Sequence, residues 1–289
     1  MADEFPIPAS LAKTCSERPE WGAWLERVPV TLRELRTRWS LTFGEPFKTG
    51  ICSWVAPAVT ADGAAAVFKL GLPHMEAEHE IPGLRFWNGN PTARLIDADD
   101  ALNAMLLERC VPGTLLRTRP EPEQDVVIAK LLTRMWRRPT APHPFRGLSV
   151  MARHWIDESI KDSARWPDEG LTREGLRVME EMARARPDDV LLATDLHAGN
   201  VLAAEREPWL AIDPKPFIGD PAYDATQHLF NCKDRLNADP VVLIARFADL
   251  LGVDRERVRM WVFARLAAEP RDWSLEWNRS FATARLLAP

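Results

Sequence analysis

The sequence predicts an α+β protein in which a small antiparallel-sheet lobe precedes a larger, mainly helical lobe. Three observations carry that expectation. Short apolar runs fill the stretch from Leu41 to Leu107, and longer segments with helical apolar spacing fill the remainder. Between them, Glu108-Arg109-Cys110-Val111-Pro112-Gly113 is a natural break. The expected division is an arm and sheet lobe over residues 1–107, a hinge over 108–113 and a helical lobe over 114–289.

The first forty or so residues contain Pro6, Pro8, Pro19 and Pro29 and predict a helix from Thr31, as its cap, to Trp39. They read as an arm leading into the first lobe. Leu41-Thr42-Phe43, Ser53-Trp54-Val55 and Ala65-Ala66-Val67-Phe68 read as strands, and Asp62-Gly63 makes a tight turn between the last two. Leu102 to Leu107 is a further strand-like run. Helices are expected over Glu123–Trp136, Thr172–Arg186, Pro221–Cys232, Pro240–Leu251 and Asp254–Leu266. Gly252 stands where a helix C-terminus takes positive φ.

The 289 residues are 46% hydrophobic and 27% charged, as in an ordinary globular protein with a sizeable core. A net charge of −5 recommends neither nucleic acid nor an anionic membrane as partner. Cys15, Cys52, Cys110 and Cys232 are far apart, with no C-x-x-C pair and no histidine at zinc-ligand spacing, so they read as reduced thiols. No apolar run approaches the roughly 20 residues of a membrane span. Met1-Ala2-Asp3-Glu4 opens acidic, unlike a signal peptide. The expected location is the cytoplasm.

Chemistry enters at Thr194-Asp195-Leu196-His197-Ala198-Gly199-Asn200, followed thirteen residues past Asn200 by Asp213. The apolar runs Val190-Leu191-Leu192, Val201-Leu202 and Trp209-Leu210-Ala211-Ile212 read as strands around these residues. An Asp, an Asn five positions on and an Asp at the end of the next strand match the phosphoryl-transfer template. In that template Asp195 takes the proton of the attacking hydroxyl, while Asn200 and Asp213 hold Mg²⁺ on the phosphates of ATP. Two solvated turns would also favour Asp and Asn. In the first lobe Lys69 closes an apolar strand, where a compact three-donor cation suits phosphate oxygens. Glu78 and Glu80 are the candidates to hold it, Glu78 the preferred one, with Pro82 blurring the bounds of their helix. Between the first two strands Gly44 and Gly50 are six apart, not in a G-x-G-x-x-G pattern. Thr49, Gly50 and Ser53 could donate to phosphate there, or the segment is an ordinary hairpin.

Asp195-Leu196-His197-Ala198-Gly199-Asn200, Trp209-Leu210-Ala211-Ile212-Asp213-Pro214 and Gly219-Asp220-Pro221-Ala222-Tyr223-Asp224 resemble the aminoglycoside phosphotransferases, in particular the branch of streptomycin 6-kinases and hydroxyurea phosphotransferases. The resemblance runs from about Phe43 to the last helices. It implies a protein-kinase-like bilobal fold and Mg²⁺- and ATP-dependent phosphorylation of a small-molecule hydroxyl, as in antibiotic resistance. It also implies adenine contacts on the main chain near Glu108 and Cys110, and a loop-orienting role for His197. One departure is that Ala193-Thr194 stands where the family writes His-Gly before the catalytic Asp. That departure and the irregular glycine loop motivate an alternative, a nucleotide-binding pseudo-kinase acting as a sensor or interaction protein.

Asp220-Pro221 reads as a helix start, with Asp220 the cap. Asp224, one turn on, either favours the helix N-terminus or faces a cationic substrate. A polycation site would need several carboxylates. Asp224, Asp234, Asp272 and Glu276 could supply them, but Lys215, Lys233, Arg235, Arg271 and Arg279 are interleaved, leaving the balance near neutral. The expected acceptor is therefore related to streptomycin or is a smaller neutral alcohol, not a densely aminated aminoglycoside.

Overall fold

The computed structural model describes residues 5–48, 50–268 and 275–289, with side chains of the last stretch from Phe281 onward. Two compact units divide the chain, Met1–Gly113 and Thr114–Pro289.

In the first unit, α1 (Ala9–Cys15) and α2 (Pro19–Arg38) precede an antiparallel sheet. Its strands are β1 (Thr42–Phe43), β2 (Ser53–Val59), β3 (Ala65–Gly71), β4 (Leu95–Asp99) and β5 (Ala104–Glu108), in spatial order β1-β2-β3-β5-β4, with α3 (Glu80–Trp87) following β3. The expected arm is instead part of the core. Trp24, Val28, Leu32 and Leu35 form a buried helical stripe that packs with Trp54, Phe68 and Leu70. Burying each such side chain is worth about 1.5–3 kcal/mol. Together they outweigh the roughly 3 kcal/mol that a proline costs inside a helix. Hence α2 starts at Pro19, runs through Pro29 and passes Thr31 without a cap there.

The Asp62-Gly63 turn joins β2 and β3, with Gly63 at φ 85°. Along β3 the side chains alternate. Ala66, Phe68 and Leu70 belong to the core shared with α1 and α2, whereas Val67 packs with Ile81, Leu84, Met105 and Leu107. Lys69 lies two residues past Val67, on the α3 face, and inside β3 instead of at its end.

β6 (Pro112–Leu115) leads into the second unit. There α4 (Glu121–Met135), α5 (Leu148–Lys161) and α6 (Glu169–Met182) precede two small antiparallel pairs. β7 (Val190–Leu192) pairs with β10 (Phe217–Gly219), and β8 (Val201–Ala204) pairs with β9 (Leu210–Ala211). Then come α7 (Pro221–Asn231), α8 (Lys233–Ala238), α9 (Pro240–Leu251), α10 (Arg255–Ala268) and α11 (Leu275–Leu287). The α5 helix was not expected from the sequence, although Leu148, Met151, Ala152 and Ile156 give it a buried face. α10 is central, packing against α6, α7, α9 and α11. At Gly175 of α6 an added Cβ would lie 2.7 Å from Ala267 Cβ, so only glycine lets α6 approach α10 so closely. Strands β7 to β10 form a frame whose connections carry residues 193–200, 212–216 and 220.

Candidate active site

Within the first unit, Lys69 Nζ donates to both carboxylate oxygens of Glu80, at 2.5 and 2.7 Å, and both residues are buried. The preference for Glu78 is thereby corrected. Glu80 opens α3, which packs on the Lys69 face of the sheet, whereas Glu78 follows the preceding short turn and is exposed. Such a buried pair costs about 3–5 kcal/mol when one partner is removed. The pair therefore fixes the ammonium on the sheet.

In the Gly44–Ser53 segment, Ser10 Oγ donates to the Gly50 carbonyl at 2.8 Å, tying the loop to α1. A Cβ on Gly50 would lie 2.8 Å from the Ser53 carbonyl oxygen, a crossing that excludes any side chain. Thr49 lies outside the described residues. At the end of β5 the Glu108 amide donates to the Arg94 carbonyl at 2.8 Å, and its carboxylate accepts from the Arg94 amide at 3.0 Å. The Glu108 amide is thus already engaged within the first unit. Cys110 follows in the connector, partly exposed.

The second unit gathers most of the remaining expected residues around residues 193–200. β7 delivers the chain buried, and the amides of Ala193 and Thr194 donate to Asp224 at 2.9 and 2.7 Å. Trp136 Nε1 donates to the same carboxylate at 2.9 Å. Asp224 is 1% exposed, and burial raises its pKa to about 6 against the pull of these three donors. The possible substrate role of Asp224 is therefore corrected: it faces inward and holds the loop. Thr194 occupies φ 49°, the region in which glycine is at ease, and its hydroxyl donates to the Lys215 carbonyl at 2.5 Å. Threonine can stand in the glycine position because that bond helps to hold the strained backbone.

Asp195 follows. Its Oδ1 accepts from Gln227 Nε2 at 2.8 Å, while the Asn200 side-chain amide donates to the Asp195 carbonyl at 3.0 Å and lies 3.4 Å from Oδ2. Burial raises the Asp195 pKa to about 6, with Lys215, Arg265 and Gln227 opposing and Asp213 adding to the rise. The Ile212 amide donates to the Asn200 carbonyl at 2.9 Å, setting Asp213 beside Asn200. Asp213 adopts φ 55°, and its Oδ1 pairs with Lys215 Nζ. The side-chain amide oxygen of Asn200 and the carboxylate of Asp213 are hard oxygen donors, which fit Mg²⁺ by their chemistry.

His197 Nδ1 accepts from the Gly199 amide at 3.0 Å and lies 3.2 Å from Arg117 Nη2. Burial, with Arg117 adding to it, lowers its pKa to about 4, so the ring is neutral at pH 7. Asp220 caps α7 through the Ala222 amide at 3.1 Å and accepts from Trp261 Nε1 at 2.8 Å, fastening α7 to α10. Asp234 is exposed on α8. The side chain of Glu276 and all of Asp272 lie outside the described residues.

Sequence reasoning missed Gln227, Arg117, Arg265 and the place of Lys215 in this arrangement. Gln227 had a signal, since it lies one helical turn past Asp224 and so shares its face. Arg265 Nη2 donates to Gln227 Oε1 at 3.3 Å, orienting the amide toward Asp195. His228 at the end of α7 and Cys232 in the bend after it stand one turn apart, a spacing not noted in the sequence, and meet Asp125 with ligand atoms within 4.8 Å of one another. Asp125 also accepts from Arg235 at 2.9 Å and Arg246 at 3.1 Å. Two guanidinium groups already neutralise this carboxylate, so the cluster is a structural hub ill-suited to a cation.

A strand-framed loop of this kind, in a sheet-then-helices fold, defines the class of protein-kinase-like phosphotransferases. Within that class, the model of the aminoglycoside/hydroxyurea antibiotic resistance kinases matches residues 38–276, and the chain belongs to that family. It is 38% identical to streptomycin 6-kinase of Streptomyces glaucescens over 94% of this chain and 90% of that protein. It is also 38% identical to hydroxyurea phosphotransferase of Kitasatospora aureofaciens, over 84% of this chain and 72% of that one. Choline kinase from Streptococcus pneumoniae superposes with a TM-score of 0.63 at 10% identity, covering 90% of this chain and 99% of that chain, a likeness of fold alone. No helix among the described residues is long and apolar enough to cross a membrane.

Proposed function

We propose that this protein transfers the γ-phosphoryl group of ATP, in a Mg²⁺-dependent reaction, to a hydroxyl of streptomycin or a related small acceptor. The observation that carries the reading is the second-unit arrangement: Asp195 partly buried and oriented by Gln227, with Asn200 and Asp213 fixed beside it. Membership of a kinase family, with relatives named as kinases over nearly the whole chain, favours transfer over a nucleotide-binding pseudo-kinase.

In this reading Lys69, fixed by Glu80, meets phosphate oxygens of ATP, and main-chain groups at Glu108 and Cys110 meet the base. A divalent ion held by Asn200 and Asp213 would neutralise charge on the phosphates. Asp195 accepts the proton of the acceptor hydroxyl as the acceptor oxygen bonds to the γ-phosphorus. The bond from that phosphorus to the bridging oxygen breaks, and its electron pair leaves with ADP. Such loose phosphoryl transfer asks the protein for position and charge more than for covalent chemistry. His197, neutral and engaged with the Gly199 amide, orients the loop and takes no proton.

The acceptor follows from the relatives, which are named for streptomycin and hydroxyurea. Because Asp224 is buried, one carboxylate is removed from the set that a polycation would need, which further disfavours densely aminated aminoglycosides. An ADP-release screen with streptomycin, hydroxyurea, kanamycin and simple polyols tests the assignment. Efficient, salt-sensitive turnover of kanamycin would overturn the charge argument. Asp195→Ala should abolish turnover while leaving Mg²⁺-ATP binding within about threefold, and undiminished turnover in that variant would remove Asp195 as the base.

A further inference from the structure

We propose that Lys215 is a catalytic cation. Its ammonium, paired with Asp213, passes to the γ-phosphoryl group when metal and nucleotide bind. The proposal rests on the reading of Asn200 and Asp213 as the metal-binding pair.

The backbone of Lys215 is pinned to the loop that carries the base. Its amide donates to the Ala193 carbonyl at 2.8 Å, and its carbonyl accepts from the Thr194 hydroxyl at 2.5 Å. Those two residues immediately precede Asp195, so the root of the side chain is set against the base. Lys215 is 8% exposed, and its ammonium pairs with Asp213 Oδ1. A desolvated ammonium needs an anion, and Asp213 provides one.

Charge decides what happens next. Asp195, Asp213, Lys215 and Arg265, whose charge also acts on Asp195, leave the neighbourhood near neutral when all four are ionised. A divalent ion on Asp213 makes that neighbourhood net positive and competes with the ammonium for one carboxylate. Like unit charges about 4 Å apart repel by roughly 4 kcal/mol at an effective dielectric of 20. Metal and ammonium therefore share Asp213 poorly until further anions arrive, and the triphosphate supplies them. Lys215 then turns to the non-bridging oxygens of the γ-phosphoryl group. The loop itself offers no replacement at His197, whose imidazole is neutral, and Arg117 is directed at His197 and Asn231. During transfer the ammonium keeps all its protons. The hydroxyl proton still goes to Asp195 and the electron pair still leaves with ADP, while Lys215 balances charge on the phosphoryl oxygens.

The test uses the full chain and Mn²⁺ alone, titrated without nucleotide and followed by electron paramagnetic resonance. Lys215→Met should bind Mn²⁺ about tenfold more tightly than wild type, because the competing cation is gone. Lys215→Arg keeps the charge and should bind Mn²⁺ as weakly as wild type. With the acceptor that turns over in the ADP-release screen, Lys215→Met should lose about 10²–10³ in kcat while KM for ATP moves by no more than about threefold. Unchanged or weaker Mn²⁺ binding in Lys215→Met would show that the ammonium merely orients Asp213 and would overturn the proposal. A kcat within about threefold of wild type would overturn it equally. Lys215→Gln repeats both measurements if Lys215→Met melts early. Asp213→Asn separates the two layers: Mn²⁺ binding that survives it refutes the metal-site reading itself, whatever Lys215 does.

Discussion

Thr194 and Asp213 show how single residues set the site. Both sit at positive φ, 49° and 55°, where a side chain carries strain of about 1–3 kcal/mol. Thr194 precedes the proposed base and Asp213 belongs to the proposed metal-binding pair, so the strain falls where side-chain direction matters most. At Thr194 the hydroxyl bond to the Lys215 carbonyl offsets part of that cost. Thr194→Gly should therefore fold with a stability within about 1 kcal/mol of wild type, since the relief of strain balances the lost bond. Thr194→Val keeps the strain, loses the bond and should be destabilised by about 1–2 kcal/mol in urea unfolding. A glycine variant less stable than the valine variant would show that strain at this residue is not the governing effect. That Asp195, Asn200 and Asp213 lie close together was legible in the sequence because they sit on one loop and one strand end. Glu80 was not. Choosing it over Glu78 required knowing which residue begins the helix that covers Lys69.

Among the elements, α7 has the widest influence on the site. Asp224 holds the loop amides, Gln227 reaches Asp195 and His228 meets Asp125 of α4, all within two turns. Three- and four-residue spacing puts these side chains on neighbouring lines of the helix, so its placement sets all three together. Asp220 fixes that placement by capping the helix and accepting from Trp261 of α10. Asp224→Ala would leave the Trp136 indole and the amides of Ala193 and Thr194 buried without their acceptor. A loss of about 3–5 kcal/mol is expected, with kcat falling more than KM for ATP rises. If that variant does not fold, Trp136→Phe removes one donor and should cost about 1 kcal/mol with partial activity. Wild-type stability and kcat in Trp136→Phe would argue against loop anchoring by Asp224. The strands around the loop were readable from short apolar runs, whereas α2 was misread because its prolines were weighed without the buried stripe beneath them.

For the molecule as a whole, Asp125 knits the helical unit together. It meets His228 of α7, Arg235 of α8 and Arg246 of α9 from its place on α4. Burial pushes its pKa up, but hydrogen bonds from His228, Arg235 and Arg246 outweigh burial and hold it well below the ordinary carboxylate range. A carboxylate whose pKa is depressed on folding contributes stability above its unfolded value of about 3.9, and that contribution is lost as pH falls through the folded value. Asp125→Asn should therefore cost about 3–5 kcal/mol at pH 7, and its deficit relative to wild type should shrink on acidification below about pH 4. A deficit that stays constant from pH 7 to pH 3 would contradict this assignment. The sequence by itself determined the class of fold and the succession of short strands followed by helices, because apolar periodicity is local. Tertiary structure decided that Glu80 holds Lys69, that Asp224 faces inward, that Gln227 and Lys215 meet Asp195 and Asp213, and that residues before Leu41 belong to the core. Those facts depend on which helix face meets which strand, and that is fixed by burial among residues distant in the chain.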